Sequence, residues 1–199
     1  MTRPRGPLTQ LVLPIETPRL FLRLPTMADV PDLRRSFRDH RTAKSVGAPL
    51  HSPAEVRDPA KMVRRTRAEF RRATDVSLSA VLKGESRCIG RVGLRGVDWH
   101  WKTVESLSYW IDPGYWNQGY ATEASWFLCH VAFSQLGIRR ISSSALEPNV
   151  ASQRVLRKLG FVREGRQREA VRLHHRNLDM ILYGLLRSEL VPWAAVVAR

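Results

Sequence analysis

Two stretches carry residues whose types and spacing could do chemistry. In the first, YWIDPGYWNQGYATEA at residues 109–124, an apolar run breaks at Asp112-Pro113-Gly114 and resumes after Gly119 with helical spacing. The N–H groups of a first helical turn have no intrahelical acceptor and the helix dipole favours negative charge there. Such a start binds an anion of pyrophosphate size where no side chain blocks the approach. Gly119 removes that obstruction, and Ala121 and Ala124 are small. The same residues also read as a plain glycine-containing turn ahead of a helix. In the second stretch, EPNVASQRVLRKLGF at 147–161, Asn149 can cap a helix with Ser152 and Arg154 near its beginning and Arg157-Lys158 toward its end. Taken alone, that is a stable amphipathic helix.

The elements that must position these stretches follow from periodicity. RLFLRL at 19–24 alternates so that Leu20, Leu22 and Leu24 share one face, the period of a half-buried strand, and Pro25 stops it. Asp29 to about Arg38 reads as a short helix. Pro53 to Ala73 reads as a longer one, with Val56, Val63 and Phe70 at heptad spacing and a basic opposite face of Arg57, Lys61, Arg64, Arg71 and Arg72. From Val76 the period becomes two through Val76, Leu78, Ala80 and Leu82; Lys83-Gly84-Glu85-Ser86 turns the chain, and Cys88 to Val97 returns as a strand. Val104 to Ile111 is the next strand, with Leu107, Tyr109 and Ile111 on one face. Gly119 to Leu136 is a helix with Ala124, Phe127, Leu128 and Val131 at helical spacing, capped by Gly137, and Ile138 to Ala145 is a short strand. The helix opened by Asn149 has an apolar stripe of Ala151, Val155, Leu156 and Leu159 and is closed by Gly160. Strands near Phe161 to Val171 and Asn177 to Leu185 finish the pattern, and the last AAVVAR reads as a frayed tail or a small packing element. Helices directly following strands imply an α/β domain on a mixed sheet.

The 199 residues, 43% of them hydrophobic, suit one domain with tails: 1–14 as an extension, 15–188 as the domain, 189–199 as the tail. No run approaches the roughly 18 to 20 apolar residues of a membrane span, and MTRPRGPLTQLVLPIE has too short an apolar stretch for a secretory signal. A soluble, cytoplasmic protein without a membrane partner is therefore expected. Cys88 and Cys129 belong to no CxxC or Cys/His cluster, so both read as reduced core residues and no metal site is expected. The net charge of +15, much of it arginine, points to an anionic partner or, more plainly, to a well-solvated arginine-rich surface.

Three stretches carry a resemblance: PIETPRLFLRLPTMADVPDL, LSYWIDPGYWNQGYATEA and EPNVASQRVLRKLGFVREG, in that order. Together they resemble the GNAT acetyltransferases, and within them the ribosomal-protein N-terminal acetyltransferase branch (RimJ/RimL-like), over about Glu16 to Leu186. The resemblance implies a single GNAT-type α/β (α+β) domain. Its mixed central sheet would have six to seven strands with about four helices, and its central strands would splay to form an acetyl-CoA cleft. Acetyl-CoA would be the co-substrate, and no metal is implied. Trp116, Asn117, Gln118, Gly119, Tyr120, Ala121 and Thr122 would cradle its pyrophosphate. The family's turn often opens with Gln or Arg where Trp116 stands, although an aromatic there is common in this branch. Trp110 and Ile111 would end the strand that pairs with the pantetheine arm through its backbone. Asn149 and Ser152 would contact the co-substrate, and Arg154, Arg157 or Lys158 would reach its phosphates.

The reaction so implied is direct attack of a neutral amine on the thioester, which needs a deprotonated amine, a polarised carbonyl and a proton for the departing thiolate. An α-amine with pKa near 8 costs about 1 to 1.4 kcal/mol to deprotonate at pH 7, whereas lysine costs roughly 4 to 5. The family usually places a glutamate three positions before the strand tyrosine. Ser106 stands there, and the acid is displaced to Glu105, a one-residue shift that turns a strand side chain to the other face. Glu105, acting through water, and Glu169 are rival bases; Glu105 also reads as an exposed strand-end residue. Many superfamily members have a tyrosine acid where Leu156 stands, so the resemblance implies Ser152 as proton donor to the thiolate, its plainer role being helix capping. The implied acceptor is a protein or peptide N-terminus, on a ribosomal protein in this branch, where positive charge favours docking near RNA. A small amine, an antibiotic or aminoacyl-tRNA is the alternative acceptor, and a fold without turnover is the non-enzyme alternative. Relatives in this branch often dimerise, so a homodimer is a further expectation. His174-His175 reads as a polar turn or an acceptor-site lining, His130 as packed or solvent-facing, and Tyr109, Trp110 and Trp116 as either a wall of the site or simple core.

Overall fold

The computed structural model describes residues 8, 11–39, 41–42, 58–173 and 175–198. In chain order these form β1 (Ile15–Glu16), β2 (Leu20–Arg23), α1 (Val30–Arg38), α2 (Pro59–Arg72), β3 (Val76–Leu82), β4 (Cys88–Asp98) and β5 (Thr103–Ile111). They continue with α3 (Tyr120–Ser134), β6 (Arg140–Leu146), α4 (Val150–Leu159), β7 (Val162–Leu173), β8 (Arg176–Leu186) and α5 (Trp193–Val197). One sheet holds eight strands in the order β1-β2-β3-β4-β5-β6-β8-β7, one more than the upper expectation because the two-residue β1 adds an edge. Neighbouring strands are antiparallel except β5 and β6, which run parallel.

The helices cover both faces. The smaller cluster packs α1 and α2, through Val30, Leu33, Phe37, Met62 and Val63, against Val81, Cys88 and Trp110 of the sheet. The larger cluster lies beneath α3 and α4, with Leu128, Cys129, Leu156 and Leu159 fully buried against Leu22, Leu78 and Leu94. Alternation explains β2, whose Leu20 and Leu22 are fully buried while Phe21 and Arg23 on the other face are only half so. Among the described residues no helix is long and apolar enough to cross a membrane. Leu8 and Leu11, from the segment read as an extension, and Val196 of α5 join the larger cluster, so the tail is a packing element.

Several boundaries differ from the sequence reading. Residues 43–57 lie outside the described residues, so the start of the longer helix at Pro53, with Val56 and Arg57, lies outside them too. The described helix begins at Pro59, where the Asp58 side chain accepts from the Lys61 N–H. The α3 helix ends at Ser134 rather than Leu136. Gly137, at φ +66, is not its cap but turns the chain two residues past Gln135, and the Ile138 N–H reaches back to the Ala132 carbonyl at 3.1 Å. Asn149 and Gly160 cap α4 as its sequence suggests, Gly160 at φ +102.

Candidate active site

The cleft begins where the sheet stops being a sheet. Strand β5 pairs with β4 along its whole length, from Thr103 opposite Asp98 to Ile111 opposite Gly90. Against β6 it pairs only at Thr103 with Arg140 and Val104 with Ile141. Beyond that point the Ser143 hydroxyl donates to the Leu107 carbonyl at 2.9 Å, and the strands diverge. The divergence opens a cavity of about 530 Å³, walled by Ser106, Tyr109, Trp110 and Ile111 from β5 and by Ser144, Ala145 and Leu146 from β6.

One end of the cavity is the start of α3. Gly119 takes the N-cap position at φ +81, a conformation that favours glycine, and no side chain caps the helix. The first-turn N–H groups thus have no side-chain acceptor among the described residues. Asp112 holds the preceding bend by accepting the Gly114 N–H at 2.9 Å through Oδ1, while Ser36 of α1 donates to its Oδ2. The Trp116 indole N–H donates to the Ile111 carbonyl at 2.7 Å, tying the turn to the end of β5. Trp110, Ile111, Trp116, Asn117, Gly119, Tyr120, Ala121 and Thr122 all line the cavity. Gln118 does not: its side-chain amide turns back to the Gly114 carbonyl at 3.4 Å.

The opposite wall is α4. The Asn149 side chain accepts the Ser152 N–H at 3.1 Å, so Asn149 is the cap and the Ser152 hydroxyl is released from that duty. The Tyr109 phenol donates to the Ser152 carbonyl at 3.0 Å, and its oxygen lies 2.9 Å from the Ser152 hydroxyl, where either group can donate. Burial raises the Tyr109 pKa above its ordinary value, so the phenol keeps its proton. When its one hydrogen turns from the carbonyl to the Ser152 hydroxyl oxygen, the serine hydrogen is free to point into the cavity. Asn149, Ser152, Arg154 and Lys158 line the cavity, whereas Leu156 is core. Arg157 does not line it; its Nε donates to the Gln153 carbonyl at 3.4 Å.

The two glutamates singled out as bases stand elsewhere. Glu105 is exposed and folds its carboxylate over Gly96 of β4. Glu169 is exposed on β7 at φ +50, where its carboxylate accepts from the Asn177 side chain at 3.1 Å. Ser106, at the family's glutamate position, lines the cavity. The charged residues of the described lining are Arg154 and Lys158, and it contains no carboxylate or imidazole. His175 sits at an exposed turn, His174 lies outside the described residues, and His130 stacks on Trp126 at 5.0 Å between ring centroids. Cys88 and Cys129 are buried free thiols, and burial pushes the Cys88 thiol up to about 11. Among the described residues no cluster of His, Cys, Asp or Glu could hold a metal ion.

Sequence reasoning missed the residues that β6 and β8 contribute, Ser144, Ala145, Leu146 and Met180, because no local signal marks where two strands part. It also missed Glu123. This carboxylate, 1% exposed in the first turn of α3, accepts from the Thr17 hydroxyl at 2.6 Å, the Arg19 N–H at 2.8 Å and Arg19 Nε at 2.6 Å. A charged residue among the apolar positions of ATEASW was the available signal.

The family profile of the acetyltransferase (GNAT) domain matches residues 19–162. The uncharacterised N-acetyltransferase YoaA of Bacillus subtilis is 25% identical over 173 residues, which span 87% of this chain and 96% of that protein. Among solved structures, Mycobacterium smegmatis RimJ in complex with CoA-disulfide superposes with a TM-score of 0.77 at 21% identity, covering 94% of this chain and 90% of RimJ. RimL, the ribosomal L7/L12 alpha-N-protein acetyltransferase, in complex with coenzyme A gives 0.75 at 20% identity, covering 88% and 98% of the two chains. At such identities the structural likeness carries the fold alone. The sequence match spans most of the chain, from β2 through both helices that wall the cleft, and on that ground the chain belongs to the GNAT acetyltransferase family.

Proposed function

We propose that this chain transfers the acetyl group of acetyl-CoA to the α-amine of a protein or peptide N-terminus. The observation that carries the acceptor reading is the cavity between β5 and β6, whose described lining is cationic in its charged residues and, among the described residues, offers no carboxylate to take a proton. A site without such a base suits an acceptor that is partly neutral in water. An α-amine, with pKa near 8, meets that condition, and lysine does not. The same cationic lining disfavours polyamines and aminoglycosides, and RimJ and RimL, which share the fold, support a protein acceptor.

The residues present fit the co-substrate. A pyrophosphate meets Gly119 and the uncapped start of α3, with Arg154 and Lys158 across the cavity, and the unpaired stretch of β5 to Ile111 offers its backbone to the pantetheine arm. The amine attacks the thioester carbonyl, the carbon–sulfur bond breaks, and the thiolate takes a proton from Ser152. Tyr109, hydrogen-bonded behind it, holds the serine in place and can restore its proton. The acceptor's own proton passes to water, and water in the cavity returns one to Tyr109, so serine, phenol and thiol all end neutral. On this reading Glu105 and Glu169 play no part in proton transfer.

The test is thiol release from acetyl-CoA against N-terminal peptides, small amines and aminoacyl-tRNA. Release with peptides establishes the reading. Turnover confined to a small amine or to aminoacyl-tRNA replaces the acceptor, and binding of coenzyme A without turnover on any acceptor makes the chain a binding module. Ribosomal proteins, RNA contact through the basic surface and homodimerisation extend the same proposal, and each is checked by adding intact ribosomes or by sedimentation.

A further inference from the structure

Glu123 presents an electrostatic problem. A buried carboxylate one turn into α3 lies beside the N–H groups that take the co-substrate's pyrophosphate, and without a counter-charge it would repel that group. Its counter-charge comes from 104 positions earlier in the chain. Arg19 gives Glu123 both its backbone N–H and its Nε, while its Nη1 donates to the Gln118 carbonyl at 2.8 Å and its guanidinium carbon stands 4.3 Å above the Tyr120 ring. Its Nη2 is 3.4 Å from where a Cβ on Gly119 would be. One guanidinium thus touches or borders Gln118, Gly119, Tyr120 and Glu123, and Thr17 completes the carboxylate's shell through its hydroxyl.

We infer that Arg19 is a positioning residue for donor binding: it neutralises Glu123 and fixes the Gln118–Gly119 turn in the form that accepts the pyrophosphate. The inference rests on the acetyl-CoA reading of the cleft. Geometry favours this role over simple structural support. A salt bridge serving stability alone would not need the second arm on Gln118, and the fork of arginine, unlike a lysine ammonium, reaches both partners at fixed angles.

The experiment compares donors with and without a pyrophosphate. For Arg19→Met and Arg19→Lys, kcat and KM are measured with acetyl-CoA and with acetyl-pantetheine, alongside calorimetric titration with coenzyme A, which needs no acceptor. The expected result for Arg19→Met is a rise of about tenfold in both the acetyl-CoA KM and the coenzyme A Kd, the scale of one lost charge-assisted hydrogen bond. The kcat and all parameters for acetyl-pantetheine should stay within about twofold. Arg19→Lys, which keeps a charge against Glu123, should fold as the parent does and show a smaller shift of the same kind; it carries the test if Arg19→Met does not fold. Adding Glu123→Gln to Arg19→Met should recover part of the coenzyme A affinity by removing the repulsion. Equal losses with both donors, or unchanged coenzyme A affinity in folded variants, would overturn the inference. Failure of the parent protein to bind coenzyme A would overturn it together with the acetyl-CoA reading, whereas binding in the parent with no effect of Arg19 overturns this inference alone.

Discussion

Strand β5 has two edges made from the same nine residues, and they do opposite things. Toward β4 it is zipped from Thr103 to Ile111; toward β6 it pairs at Thr103 and Val104 and then lets go. The sealed edge stabilises the fold, and the open edge leaves backbone groups that a bound molecule can take over. A binding site can therefore be made by withholding hydrogen bonds, provided something ordered fills the gap at its apex and its rim. Ser143 does so at the apex by donating to Leu107, and the Gly119 turn and α4 form the rim.

The contrast can be broken most severely at the rim. Gly119→Trp fills the open end and forces a non-glycine residue to φ +81, so thiol release from acetyl-CoA should fall by at least about 10²-fold while the sealed edge keeps the circular dichroism spectrum native. At the wall, Ser152→Ala should lower kcat by roughly 10²-fold, the low end for proton transfer because a thiolate is a good leaving group. Tyr109→Phe, acting through Ser152, should cost about tenfold in the same assay, and a kcat left unchanged by both substitutions would remove the serine from the chemistry. Loosening the apex is milder. Ser143→Ala leaves the Leu107 carbonyl with only the longer 3.4 Å approach of the Ser106 hydroxyl, at about 0.5 to 1.5 kcal/mol, which differential scanning should report as a melting point lower by a few degrees.

The smallest effects should come from the groups outside the cleft. Glu105→Gln and Glu169→Gln are each expected within about twofold of the parent in kcat/KM, and a loss above tenfold for either would restore it as a base. The pH profile sharpens the same point. With no carboxylate in the described lining, activity should rise as the acceptor amine loses its proton near pH 8. Because the Tyr109 pKa is raised, its neutral form persists below and through the ordinary tyrosine value of about 10. The contribution of the phenol should then be lost only above that pH, so a fall in rate between pH 8 and 10 would contradict the Tyr109–Ser152 assignment.

Legibility differed sharply along the chain. The uncapped turn at the cavity's end was readable because its determinants are consecutive: a break at Asp112-Pro113-Gly114, a glycine, then a helix with small residues. Asn149 and Gly160 were readable as caps for the same reason. The candidate proton-transfer groups were harder. Both glutamates were plausible by spacing, yet Glu105 lies over Gly96 and Glu169 faces Asn177, because which face of a strand meets a cavity depends on what the neighbouring strand does. Tyr109 was legible as an aromatic of the site but not as the partner of Ser152, 43 positions away.

By itself, then, the sequence determined the order of elements, the family, and the glycine turn that opens α3, since each is written in residues adjacent or periodic along the chain. Tertiary structure decided what those parts form together. The parting of β5 from β6, the release of the Ser152 hydroxyl toward Tyr109, and the pairing of Arg19 with Glu123 all join residues distant in sequence. Each depends on how hydrogen bonds and charges are shared in space, which neither composition nor periodicity records.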